Sequence, residues 1–161
     1  MKTANQILIA IVLLSFSITS CNGQVREPIK HLITKDGHII TLNVNTQEIN
    51  NKNIEETCNF GQHDSIKNED FTIIAKVGDN IIWEGNSLSS NEDIVNIKKI
   101  KIKRGTIIFD KDSLEDNRRV SGKVRYDTKD RPIYEYKLFF TVTHEGKEKQ
   151  YHIDPKIQVN E

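Results

Sequence analysis

The stretch from Ile133 to Thr143, IYEYKLFFTVT, constrains the fold more than any other. Tyr134, Tyr136, Leu138, Phe140 and Val142 fall on alternate positions, and a period of two belongs to a strand with one buried face. The alternation recurs from Phe71 onward. Phe71, Ile73, Ala75 and Val77 share one phase, and Ile81 and Trp83 share another. Ile100 and Ile102 oppose Lys99, Lys101 and Lys103, and VSGKVRY alternates from Val120 to Tyr126. Ile97 is out of phase with Ile100, which places a bulge or a strand start there. TIIF, Thr106 to Phe109, reads as a further short strand, and FDKDSLEDNRR after it as a charged loop. A Gly78-Asp79 turn separates the first two runs. HEGK turns the aromatic strand into EKQYHI, and KIQV closes the chain after Pro155. No segment carries a helical period. Seven or more short strands with turns between them predict an all-β chain folded as a Greek-key β-sandwich.

The N-terminus addresses the chain to a membrane. Lys2 precedes ILIAIVLLSF, Ile7 to Phe16, an apolar run of signal-peptide length and too short to span a bilayer. ITSC follows, Ile18 to Cys21, which matches the bacterial lipobox, the site of diacylglycerol attachment at cysteine and acylation, such as palmitate, of the new amine. The alternative is an ordinary secretory leader with Cys21 incidental. Residues 1–20 are therefore expected to be a lipoprotein signal peptide. Residues 21–66 are expected to hold the lipidated Cys21, a tether, a short hairpin turned at Asp36-Gly37 and an Asn-rich linker. Residues 67–161 are expected to form the sandwich. Loss of Lys2 with the leader leaves 22 basic and 23 acidic residues. A chain so near neutrality has no global attraction for nucleic acid. Cys58 is then the only remaining thiol and has no intramolecular disulfide partner.

VGDNIIWEG, Val77 to Gly85, and the C-terminal layout YEYKLFFTVTHEGKEKQYHIDPKIQV resemble the cupredoxin family over Phe71 to Glu161. That resemblance implies a sandwich in which an aromatic strand leads to a copper-binding loop and a strand of alternating aliphatics closes the sheet; an Ig-like sandwich is the other reading. Blue copper needs two imidazoles and a thiolate. EGNSLSSNEDIVN has no histidine after the tryptophan turn, FTVTH has Thr141 and Thr143 and no cysteine, and Met1 is the only methionine. The resemblance thus implies the scaffold without the copper ligands. CNGQ, CNFGQ and IDPKIQV are also similar to flavobacterial and other Bacteroidetes lipoproteins, which implies an envelope location, most simply the outer membrane facing the periplasm.

Several side chains offer chemistry, each with a plainer reading beside it. Cys58, His63, His144 and His152 could form a relocated metal site, or Cys58 is buried and the imidazoles lie at the surface. Lys98, Lys99, Lys101, Lys103 and Arg104 could meet lipid headgroups or a glycan. Alternatively, they are a solvated strand face whose lysines block edge pairing, neutralised by Asp110, Asp112, Glu115 and Asp116. DKDSLED, Asp110 to Asp116, suggests a calcium loop but lacks the central glycine and distant glutamate of an EF-hand. Trp83 reads as core, with a sugar-stacking platform as the alternative. No catalytic motif is present. The expectation is a non-enzymatic, lipid-anchored module that binds an envelope protein or a glycan and needs no cofactor. The alternative is a copper or other metal-binding protein using Cys58, His63, His144 or His152.

Overall fold

The computed structural model describes residues 32–34, 37–129 and 131–160. The leader, Cys21 and the tether lie outside the described residues. The fold is an all-β sandwich of two sheets. The first sheet holds β1 (Leu32–Thr34), β2 (Gly37–Val44), β3 (Cys58–Asn59), β5 (Asn80–Ser87) and β8 (Val120–Lys123). Its order is β1-β2-β5-β8, with β3 also on β2. The second sheet holds β4 (Thr72–Lys76), β6 (Ile94–Arg104), β7 (Ser113–Glu115), β9 (Tyr134–His144), β10 (Lys147–Ile153) and β11 (Lys156–Asn160). Its order is β4-β11-β9-β6-β7, with β10 also on β9. Two pairs are parallel, β2 with β5 and β4 with β11; the other pairs are antiparallel.

The alternation read in β9 is the one observed. Tyr134, Tyr136, Leu138, Phe140 and Val142 are all buried. They face Ile40, Leu42, Ile81 and Trp83 of the other sheet within one core. Trp83 is fully buried, donates its indole N–H to the Tyr136 hydroxyl at 3.1 Å, and meets Phe109 and Tyr136 edge-on. It is a core residue, and the sugar-platform alternative falls away.

Other expectations are corrected. The sandwich begins well before residue 67. β2, the second strand of the expected hairpin, is an interior strand supplying the buried Ile40, Leu42 and Val44, because it pairs with β5 along its length. The Asn-rich segment after it is no free linker. It carries the four-residue helix α1 (Ile54–Thr57), buries Ile49, and is tied to β10 by the Tyr151 hydroxyl donating to the Ile49 carbonyl. TIIF forms no strand. Ile108 and Phe109 are buried by a loop whose Ile108 carbonyl accepts the Arg125 amide. The charged loop holds β7 instead. Val77 is exposed because the chain turns there, with Gly78 at φ +97° in a Lys76–Asp79 turn closed by the Asp79 amide. The irregularity foreseen at Ile97 is a register shift between Ile97 and Lys99. It keeps both Ile97 and Ile100 in the core.

Candidate functional site

Once β9 turns its aromatic and aliphatic positions inward, the intervening residues must face outward. Lys137, Phe139 and Thr141 therefore lie on the outer face of the second sheet. Lys99 and Lys101 follow from β6, and Gln150 and His152 from β10. The pairing register sets them in rows. Phe139 stands between Lys99 on one side and His152 on the other, and Lys101 is opposite Lys137. The Phe139 and His152 rings are 5.7 Å apart, and Lys137 Nζ lies 3.4 Å from His152 Nε2. A shallow depression of about 680 Å³ runs over this face, lined by Lys98, Lys99, Lys101, Asn117, Phe139 and Gln150, with Glu115 and Asp116 on its wall.

The lysines of β6 do not guard a sheet edge. β6 pairs with β9 along one side. Its other side is covered by β7 and by backbone hydrogen bonds at Ile97, Lys98 and Ile102 to residues 112–118. The acidic neighbours neutralise only part of the charge. Glu115 pairs with Lys99, whose ammonium holds the Glu115 carboxyl below its usual range. Asp110 pairs instead with Arg125, and Lys98 donates to the Asn117 carbonyl. Lys103 and Arg104 at the end of β6 are matched by Asp154 and Glu135. Lys101 and Lys137 have no carboxylate partner among the described residues.

The metal-ligand candidates fall in separate surroundings. Cys58 is in the core, where burial pushes its thiol up to about 12, against a hydrogen bond from Thr57 and with the charge of Glu55. A thiol so placed is a poor nucleophile and a poor ligand at neutral pH. His63 is exposed and bonds Ser65. His152 lies on the basic face. His144 ends β9 and holds Asp93 through Nδ1 at 2.9 Å. Among the described residues no group of three or more His, Cys, Asp or Glu side chains could hold a metal ion. The acids of Asp110 to Asp116 do not converge: three of them engage Arg125, Lys99 and the Asn117 amide.

A polar cluster that the sequence did not single out surrounds Asp93. The Thr46 hydroxyl donates to its carboxylate at 2.6 Å and lies 2.8 Å from both Ser87 and Ser89 Oγ. Thr46 first, then His144, hold the Asp93 carboxyl below its ordinary value while burial acts the other way. A histidine oriented by a carboxylate can serve as a base when a nucleophile sits at its far nitrogen. Here the Thr46 hydroxyl sits on the aspartate and the two serines on Thr46, so the cluster reads as a clasp between the segment after β2, the loop after β5 and the end of β9. A second histidine pair, His38 Nε2 with Asp79 at 2.7 Å, joins the start of β2 to the β4–β5 turn. Neither carboxylate is visible as a histidine partner in the sequence, because each pair spans more than 40 residues. Phe139 did leave a signal: it is the one aromatic in the outward phase of the best strand.

Among the described residues no helix is long and apolar enough to cross a membrane. No family model and no curated protein matches the chain.

Proposed function

We propose that this chain is a lipid-anchored, non-enzymatic binding module of a bacterial envelope. Cys21 carries the acyl chains, and the β-sandwich presents its larger sheet to a partner on the periplasmic side of the outer membrane. The observation that carries the reading is the outer face of that sheet, where a half-buried aromatic ring and two lysines without a carboxylate partner lie side by side on interior strands. ITSC after a ten-residue apolar run supports the anchor, since two or three acyl chains hold a protein stably where one is marginal. The strand layout fits a cupredoxin-like or an Ig-like scaffold. The tryptophan strand lies inside one sheet, the aromatic strand inside the other, and the alternating aliphatics of β11 close against the latter.

Metabolic labelling with an alkyne palmitate tests the anchor. The wild-type chain takes up label and sediments with membranes, whereas Cys21→Ala takes up none and is released. An unlabelled, soluble wild-type chain would replace the lipobox by an ordinary leader. Copper binding at a relocated site is the competing proposal. A thiolate-to-copper absorption band on titration, lost in Cys58→Ser, would favour it.

A further inference from the structure

We infer that the outer face of the second sheet binds an acidic polysaccharide, with Phe139 as the stacking ring, Lys101 and Lys137 as the charge partners, and Lys99 joining them where the ligand displaces Glu115. The inference deepens the reading of the chain as an exported binding module and rests on it.

The spacing of the charges favours a polymer. Side chains two apart on a strand are about 7 Å from one another, and neighbours across strands about 5 Å. Lys101 and Lys137 face each other across strands, and Lys99, paired with Glu115, follows two residues along β6, so the cations lie in a flat array instead of converging on a point. A small anion is held by converging donors; a row of separated cations suits successive carboxylates or sulfates of a chain. Phe139 adds a half-buried ring held between strands, against which the C–H face of a sugar can lie. Gln150 and Asn117 line the same depression and offer amides to hydroxyl groups.

The same features argue against other polyanions. The chain is near neutrality overall, and the face has one outward carbocyclic ring, whereas single-stranded nucleic acid is held by several stacking side chains. Duplex DNA is held through many phosphate contacts, and this face offers few unpaired cations. A membrane surface would call for exposed apolar groups around the lysines. The exposed Ile66, Val77, Leu88, Ile107, Tyr126 and Ile133 are in loops and turns, and Ile74 is on the edge strand β4; of the apolar residues on β6 only Ile94 is exposed, opposite Thr143 at the end of the strand away from Lys101.

Titration calorimetry on the purified full chain in detergent tests this without depending on the anchor. The probes are an oligogalacturonate, a chondroitin sulfate oligomer, maltoheptaose, oligo-dT and phosphatidylglycerol vesicles. Expected is binding of at least one acidic oligosaccharide and none of maltoheptaose, weakening as sodium chloride rises from about 0.05 to about 0.5 M. The two acidic probes distinguish carboxylate from sulfate. The double variant Lys101→Gln/Lys137→Gln should weaken binding about five- to tenfold. Phe139→Leu should also weaken it, with the melting temperature of both variants kept, and Lys123→Gln, on β8 of the other sheet, should leave it unchanged. No binding of either acidic oligosaccharide, equal binding of oligo-dT or vesicles, or undiminished binding by the variants would overturn the assignment. Palmitate labelling of Cys21 reads the anchor separately, so either reading can fail alone.

Discussion

Two neighbouring tyrosines of β9 are both deeply buried but differ in what their hydroxyls meet. The Tyr136 hydroxyl accepts the Trp83 indole N–H across the sheets, whereas the Tyr134 hydroxyl has no partner among the described residues. Tyr136→Phe leaves a buried donor without an acceptor and should cost about 1–3 kcal/mol. Tyr134→Phe should be neutral or stabilising in the same urea titrations. Trp83→Ala removes the largest core side chain and should cost roughly 3–5 kcal/mol. Cys58, with its thiol pushed up to about 12 by burial, should resist iodoacetamide at about pH 8 in the native protein and react once urea unfolds it. Asp93 carries a pH signature. Its folded-state pKa lies below the unfolded one, so its contribution to stability is complete above the unfolded value of about 4. That contribution is lost as pH falls through the lower, folded value. Asp93→Asn should therefore flatten the loss of stability below about pH 4, measured by denaturant titration across that range.

At the scale of elements, the two sheets come close where β5 gives way to β6. A Cβ at Gly85 would meet the Val95 carbonyl oxygen at 2.5 Å, a clash with backbone that no rotamer relieves. Gly85→Ala should lower the melting temperature and loosen the crossing, seen as faster amide exchange in β5 and β6. The strands themselves were largely legible. Alternation located β4, β5, β6, β8 and β9 because each buries one face, and the HEGK turn and Pro155 marked off β10 and β11. β7 was missed because SLE is too short to alternate, and it is held by pairing with β6. Ile108 and Phe109 looked like strand because they are apolar, but they are buried from a loop. The lysines of β6 were legible as an outward face. Their place in the sheet interior was not, since edge or centre depends on which distant strands arrive beside them.

At the scale of the molecule, the first sheet cannot be assembled without its N-terminal part. β2 lies between β1 and β5 and fills the core with Ile40, Leu42 and Val44. A fragment of residues 67–161 should give the circular dichroism of an unfolded chain, and residues 32–161 that of a β-sandwich. If the shorter fragment folds, the first sheet is dispensable and the topology is mistaken. The sequence by itself determined the all-β class and the inward residues of most strands. Those follow from local period and from the hydrophobic effect acting on each face. Only the tertiary structure decided the rest: that β2 belongs to the sandwich, that Asp93 clasps His144, that Cys58 is sealed from the histidines, and that Phe139 stands among lysines on an open face. Each of these depends on contacts between segments far apart in the chain. Their partners are chosen by register and sheet order, which no local pattern encodes.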